Sequence, residues 1–187
     1  MTRVAILASG AGSNAKALIK YFFEDEEIEV AIVASNKKDA GVLRISEEVG
    51  IEALHFSKEE MMSGQLLNDL KTRKIDWVLL SGFLLKLPIQ YLDSFSERVI
   101  NIHPSLLPKY GGKGMYGMNV HKAVKESNEM ESGMTIHYVT ENYDEGDIIF
   151  QVSVDISQCE SAEEIASKVL ALEHTYYPRI VEAEIKG

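Results

Sequence analysis

Asn101 and His103 stand two residues apart at the end of a short apolar run, Val99-Ile100-Asn101-Ile102. Side chains alternate along a strand, so the two project from one face. An amide donor and an imidazole converging on one point can stabilise an oxyanion. A protonated imidazole can also deliver a proton to a leaving group. A histidine taken alone is as readily a satisfied structural residue. A carboxylate beside it would alter that balance, because the negative charge keeps the imidazole protonated. Asp144, Glu145 and Asp147 are the candidates, in the loop between the last two expected strands.

A second segment with chemical potential is Gly10-Ala11-Gly12-Ser13-Asn14. It follows an apolar run and opens a helix. Glycines allow close backbone approach to an anion, and free amides at a helix N-terminus bind phosphate. The pattern also reads G-x-G-x-x-A, which raises a dinucleotide site. Such a site wants an acid after the second strand; Ser35-Asn36-Lys37 stands there and counts against it. A plain strand-to-helix turn capped by Ser13 is the structural alternative. Gly112-Lys113 is followed by Gly114, so no phosphate loop of the Walker type forms there. Of the other histidines, His55, His121 and His174 show no metal-ligand spacing. His137 either lines the site or belongs to the core. No metal site is expected. Cys159 has no local base and does not read as a nucleophile.

These residues need elements that bring them together. Val4–Ala8, Val30–Ala34, Ile51–Phe56, Trp77–Leu80 and Val99–Ile102 read as strands. Helix-period stretches run over 13–23, 39–49 and beyond Ser57, where Ser57 and Glu60 form a capping box. Apolar strands separated by amphipathic helices predict an α/β fold, a Rossmann-like, mostly parallel sheet with helices on both faces. Two later strands, 135–140 and 148–154, read as a hairpin-like pair. One long C-terminal helix follows, capped by Ser161 and Glu164, with Pro178 expected to kink it. The unusual residues all follow the first, fourth and fifth strands, where open parallel sheets bind ligands.

The chain has 187 residues with 45% hydrophobic and 26% charged, which excludes wholesale disorder and favours a single domain over 1–187. With 19 Lys+Arg against 29 Asp+Glu the net charge is -10, which argues against nucleic acid as a partner. No run approaches the roughly 18 apolar residues of a membrane span. One cysteine excludes an internal disulfide, and a cytoplasmic protein, monomer or homodimer, is expected.

Asn101-Ile102-His103-Pro104-Ser105-Leu106-Leu107-Pro108-Lys109 resembles the signature of the phosphoribosylglycinamide formyltransferase family. The resemblance extends to Ser9-Gly10-x-Gly12-Ser13-Asn14, Gly82-Phe83, Tyr143-Asp144-Glu145-Gly146 and Glu173-His174-x-x-Tyr177-Pro178, in order and over nearly the whole chain. It implies the formyltransferase fold. It also implies two small-molecule substrates, 5-phosphoribosylglycinamide and the cosubstrate 10-formyltetrahydrofolate, with no metal. By resemblance Asn101 and His103 hold the oxyanion, with cationic His103 the proton donor, and Asp144 keeps His103 protonated. Gly12, Ser13, Asn14 and Glu173 bind the phosphoribosylglycinamide. Leu84, Leu85, Lys86 and Leu87 line the folate pocket beside Asn101, and Lys58 meets the folate glutamate tail. A bell-shaped pH profile follows, since the histidine must be charged and the attacking amine neutral.

The sequence departs from the family pattern at Leu84–Leu87, where a Met-Arg pair is common, and at the Gly-rich stretch 110–117. Formyltetrahydrofolate deformylase is similar in its core but generally carries an N-terminal regulatory domain. Methionyl-tRNA formyltransferase shares the Ser-Leu-Leu-Pro signature and adds a C-terminal domain. A non-catalytic relative would lack part of the Asn101, His103 and Asp144 trio.

Overall fold

One seven-stranded sheet organises residues 1–187, all of which the computed structural model describes. The strands are β1 (Thr2–Leu7), β2 (Ile28–Ser35), β3 (Glu52–His55), β4 (Trp77–Leu80), β5 (Val99–His103), β6 (Glu131–Tyr138) and β7 (Ile148–Asp155). Their spatial order is β3-β2-β1-β4-β5-β6-β7. The first five run parallel; β6 is antiparallel to β5 and to β7. The mostly parallel sheet and the paired last strands expected from the pattern are both present.

Helices cover both faces. They are α1 (Ser13–Phe22), α2 (Gly41–Glu48), α3 (Lys58–Ser63), α4 (Gln65–Thr72), α5 (Ile89–Phe95), α6 (Met118–Glu126) and α7 (Ala162–Lys186). Strand alternation divides the apolar residues between two cores. Val4, Ile6, Val33, Leu79 and Ile100 face α1, α2, α6 and α7, meeting Leu18, Val42, Val124 and Val169. Ala5, Leu7, Ile32, Val78 and Leu80 face α3, α4 and α5, meeting Met61, Leu66, Leu70 and Tyr91. Burying each such aliphatic side chain is worth about 1.5–3 kcal/mol. Residues buried on both faces explain why β1 reads as an unbroken apolar run.

The capping box forms in full: Glu60 N–H donates to Ser57 Oγ at 3.1 Å, and Ser57 N–H to Glu60 Oε2 at 2.6 Å. The Ser161 hydroxyl accepts from Glu164 N–H at 3.2 Å and starts α7. Four features depart from the sequence reading. The sixth strand runs over Glu131–Tyr138 and not over 135–140. The stretch after Ser57 is two helices, because Gly64 at φ 86 ends α3 and begins α4. The seven-residue α5 follows Pro88 and buries only Tyr91 and Phe95, too little for a visible period. Ser13 is the first residue of α1 rather than its cap; the cap position is Gly12, which has no side chain to offer. Pro178 lies inside α7, which continues as one helix to Lys186.

Candidate active site

The chain leaves β1 for β2 on one side, while β4 and β5 lie on the other. The carboxyl ends of β1 and β4 therefore flank the point where strand order reverses, the usual location of a ligand crevice. A cavity of about 1020 Å³ opens there, lined by residues that follow β1, β4 and β5, by the β6–β7 loop and by α7. Tyr177 of α7 donates its hydroxyl to the Leu80 carbonyl at 2.9 Å and ties the long helix to this end of the sheet.

Strand register assembles the centre. Across β5 and β6, Asn101 is paired with His137 and His103 with Thr135. All four share the face opposite Ile100, Ile102, Met134 and Ile136, which belong to the core under α1, α6 and α7. Asn101 Nδ2 lies 3.1 Å from His137 Nε2, and His137 Nδ1 lies 2.8 Å from the Tyr138 carbonyl. A carbonyl only accepts, so His137 Nδ1 donates to it, and Nε2 is the atom that meets the Asn101 amide. The second N–H of that amide is left for a ligand.

His103 is held by the same logic. Its Nε2 donates to the Tyr110 carbonyl at 2.8 Å, so the atom that titrates is Nδ1. Nδ1 is 3.6 Å from Asp144 Oδ1, and the same oxygen is 3.6 Å from His137 Nε2. Asp144 Oδ2 accepts from Gly112 N–H at 2.8 Å. Burial pushes the Asp144 carboxyl up, but His137, His103 and the Gly112 amide together outweigh it and hold the group below the ordinary carboxylate value. For His103 the balance goes the other way. Burial lowers its pKa, and neither Asp144 nor the Tyr110 carbonyl restores it. Burial thus makes the ligand-free imidazole harder to charge than an ordinary histidine. Its surroundings are drier than a strand-end position suggests; only 4% of the residue is exposed. Glu145 and Asp147, the other acids considered, do not line the cavity.

The loop before α1 forms a second wall. Gly12 sits at φ 83, and a Cβ there would lie 2.6 Å from Val42 Cβ. Glycine thus lets α2 close against the loop. With no side-chain cap, the first-turn amides of α1 remain without intrahelical partners. Ser13 and Asn14 line the cavity; Gly12 shapes the turn from behind. Asn14 Nδ2 donates to Glu173 Oε2 at 2.8 Å, and Asn14 Oδ1 is buried with no partner. Burial pushes the Glu173 carboxyl up to about 7, with Asn14 pulling against it.

Leu84, Leu85, Lys86 and Leu87 line another part of the cavity with Phe83 and Val139. Ser9 Oγ accepts from Leu84 N–H at 3.0 Å and donates to Asn36 at 2.6 Å, fixing this segment to β1 and β2. Lys58 is not brought here. It lies exposed on the first turn of α3, outside the cavity wall, because the capping box fixes α3 over the other core. Several contributors carry no sequence signal. Tyr110 and Gly112 act through backbone atoms. Thr135 Oγ1 accepts from Leu107 N–H at 3.1 Å and Gln151 Nε2 at 2.8 Å, and donates to the Ser105 carbonyl at 2.7 Å. It clamps the turn that follows His103.

Residues 2–181 match the model of the family described as formyl transferase. The chain is 39% identical over 189 residues to the chloroplastic phosphoribosylglycinamide formyltransferase of Arabidopsis thaliana, with 97% of this chain and 64% of that protein covered. It is 31% identical to the phosphoribosylglycinamide formyltransferase of Haemophilus influenzae, covering 100% of this chain and 89% of that one. The crystal structure of the Brucella melitensis phosphoribosylglycinamide formyltransferase superposes with a TM-score of 0.87 at 33% identity, covering 100% of this chain and 96% of that chain. The match runs from β1 into α7 and so takes in every wall of the cavity, and on that ground the chain belongs to the formyl transferase family.

Proposed function

We propose that this protein transfers the formyl group of 10-formyltetrahydrofolate to the amine of 5-phosphoribosylglycinamide, a step of de novo purine biosynthesis. The products are the formylated glycinamide ribonucleotide and tetrahydrofolate. The observation that carries the reading is the convergence of Asn101, His103 and Asp144 on one cavity with the uncapped start of α1. Likeness to relatives with this name at 31–39% identity supports the choice of substrates.

The chemistry follows from the geometry. The neutral amine attacks the formyl carbon, and a tetrahedral centre forms with its charge on oxygen. The free N–H of Asn101 donates to that oxygen. Growing negative charge also favours a proton on His103 Nδ1, where Asp144 already draws it, so the imidazole becomes cationic as the oxyanion develops. Collapse breaks the bond to N10 of the folate. The amine nitrogen gives up one proton and N10 gains one, with His103 and Asp144 as the relay. Ser13, Asn14 and the α1 amides hold the phosphate. Glu173 contacts the phosphoribosylglycinamide, and Leu84–Leu87 line the pterin pocket. The whole chain acts as one domain on small molecules, as monomer or homodimer. A reduced, buried Cys159 fits the cytoplasm. No helix is long and apolar enough to cross a membrane.

The test is a formyl-transfer assay with and without phosphoribosylglycinamide, followed by folate absorbance. Product only when the glycinamide is present is expected. Product without it would assign the site to hydrolysis, with water replacing the amine. No product, with both ligands bound, would overturn catalysis.

A further inference from the structure

The cavity is poor in positive charge. Among its lining side chains only Lys86 and Lys113 are cationic, and Asp144 and Glu173 are acidic. The chain as a whole carries a net charge of -10, so a dianionic ligand gains nothing from the overall field. The two lysines serve different ends. Phe83 and Leu85, beside Lys86, pack on the core under α3, α4 and α5. Tyr110 and Met115, on either side of Lys113, pack on the opposite core shared by α1, α6 and α7. Lys113 therefore stands on the side of the sheet that α1 covers.

Its backbone is built to hold it there. Met115 N–H donates to the Gly112 carbonyl at 3.1 Å, closing a four-residue turn with Lys113 at its first corner. The second corner is Gly114 at φ 90, a conformation that turns of this kind reserve for glycine. Nothing lies within 4 Å of a Cβ at Gly112 or Gly114, so backbone conformation rather than packing calls for these glycines. Gly112 N–H is tied to Asp144, and the Gly114 carbonyl accepts from Asn119 Nδ2 at 3.1 Å. An anchored turn therefore presents an exposed lysine at the edge of the cavity.

We propose that Lys113 is the cation that binds the phosphate monoester of the substrate, opposite the α1 amides. The inference rests on the proposed function for the identity of the substrate but not for the existence of the site. Charge-assisted contacts of this type contribute about ten- to a hundredfold in affinity.

The experiment is a calorimetric titration of the intact protein with ribose 5-phosphate, and with ribose as the neutral control. Lys113→Ala is expected to weaken ribose 5-phosphate at least tenfold, and Lys113→Arg to keep it within about threefold. Ribose is expected to bind all three proteins equally. In steady-state assays the same loss falls on the KM for phosphoribosylglycinamide, with the KM for 10-formyltetrahydrofolate unchanged. Unaltered ribose 5-phosphate affinity in Lys113→Ala overturns the proposal, as does no binding to the native protein. A loss confined to 10-formyltetrahydrofolate overturns it too, assigning the lysine to the folate carboxylates. A native protein that binds ribose 5-phosphate through Lys113 yet transfers no formyl group would sink the proposed function and leave this site standing.

Discussion

Nδ1 of His103 lies 3.6 Å from Oδ1 of Asp144, while Nε2 of the same ring donates to the Tyr110 carbonyl. The geometry leaves the imidazole one atom on which to gain a proton, and the carboxylate faces that atom. Burial nevertheless keeps the ligand-free ring below its ordinary pKa. The site is thus poised to charge when negative charge appears, rather than charged in advance.

Asp144→Asn preserves shape and removes the charge. The carboxylate raises the His103 pKa, so its loss lowers that pKa further and reduces the protonated fraction at any pH above it. The imidazole then charges less readily as the oxyanion develops, and kcat should fall by about a hundredfold or more. Nuclear magnetic resonance titration of the His103 ring reads the shift directly; an upward or absent shift would remove Asp144 from this role.

His103→Ala should abolish formyl transfer while phosphoribosylglycinamide still binds within a few-fold. The expected phosphate anchors, Ser13 and Asn14, stand on α1, a separate element. Calorimetry of the variant checks the binding. Turnover at near-native rate would show that another group moves the proton.

Glu173 titrates near 7 in the folded chain against an ordinary value of 4.5. The folded state therefore binds this proton more tightly than the unfolded one. Its contribution is intact below about pH 4.5 and is lost as pH rises through 7, amounting to about 3 kcal/mol at most. Glu173→Gln should flatten the difference in urea stability between pH 5 and pH 8 relative to the native protein. Equal pH dependence in both proteins would show that the buried carboxyl finds compensation elsewhere.

Gly12→Ala places a methyl group 2.6 Å from Val42 Cβ and Cγ2 at a φ of 83. Left-handed strain and overlap together should cost about 2–4 kcal/mol. Denaturant unfolding measures it. Val42→Ala in the same chain should recover part of the overlap but none of the strain. A variant as stable as the native protein would mean that α2 yields easily.

Much of this site was visible as sequence. Asn101 and His103 share a face because strands alternate, and the Ser57–Glu60 capping box formed because its two bonds are local. Ser13 and Asn14 follow a glycine-rich turn that any strand-to-helix passage would recognise. Less visible was α5, whose seven residues are held chiefly by Tyr91 and Phe95. Lys58 has only the resemblance behind it, and the position of α3 keeps it outside the cavity wall.

Sequence by itself determined the strands, the order of the motifs and the pairing of an amide with an imidazole, because each depends on spacing along a few residues. Only the tertiary structure decided which of three acids meets His103, that His137 stands opposite Asn101, and that Tyr110 and Gly112 serve the site through their backbones. It also decided how readily His103 charges. That depends on how much water the surrounding chain excludes, a quantity set by residues far apart in sequence that close over one strand end.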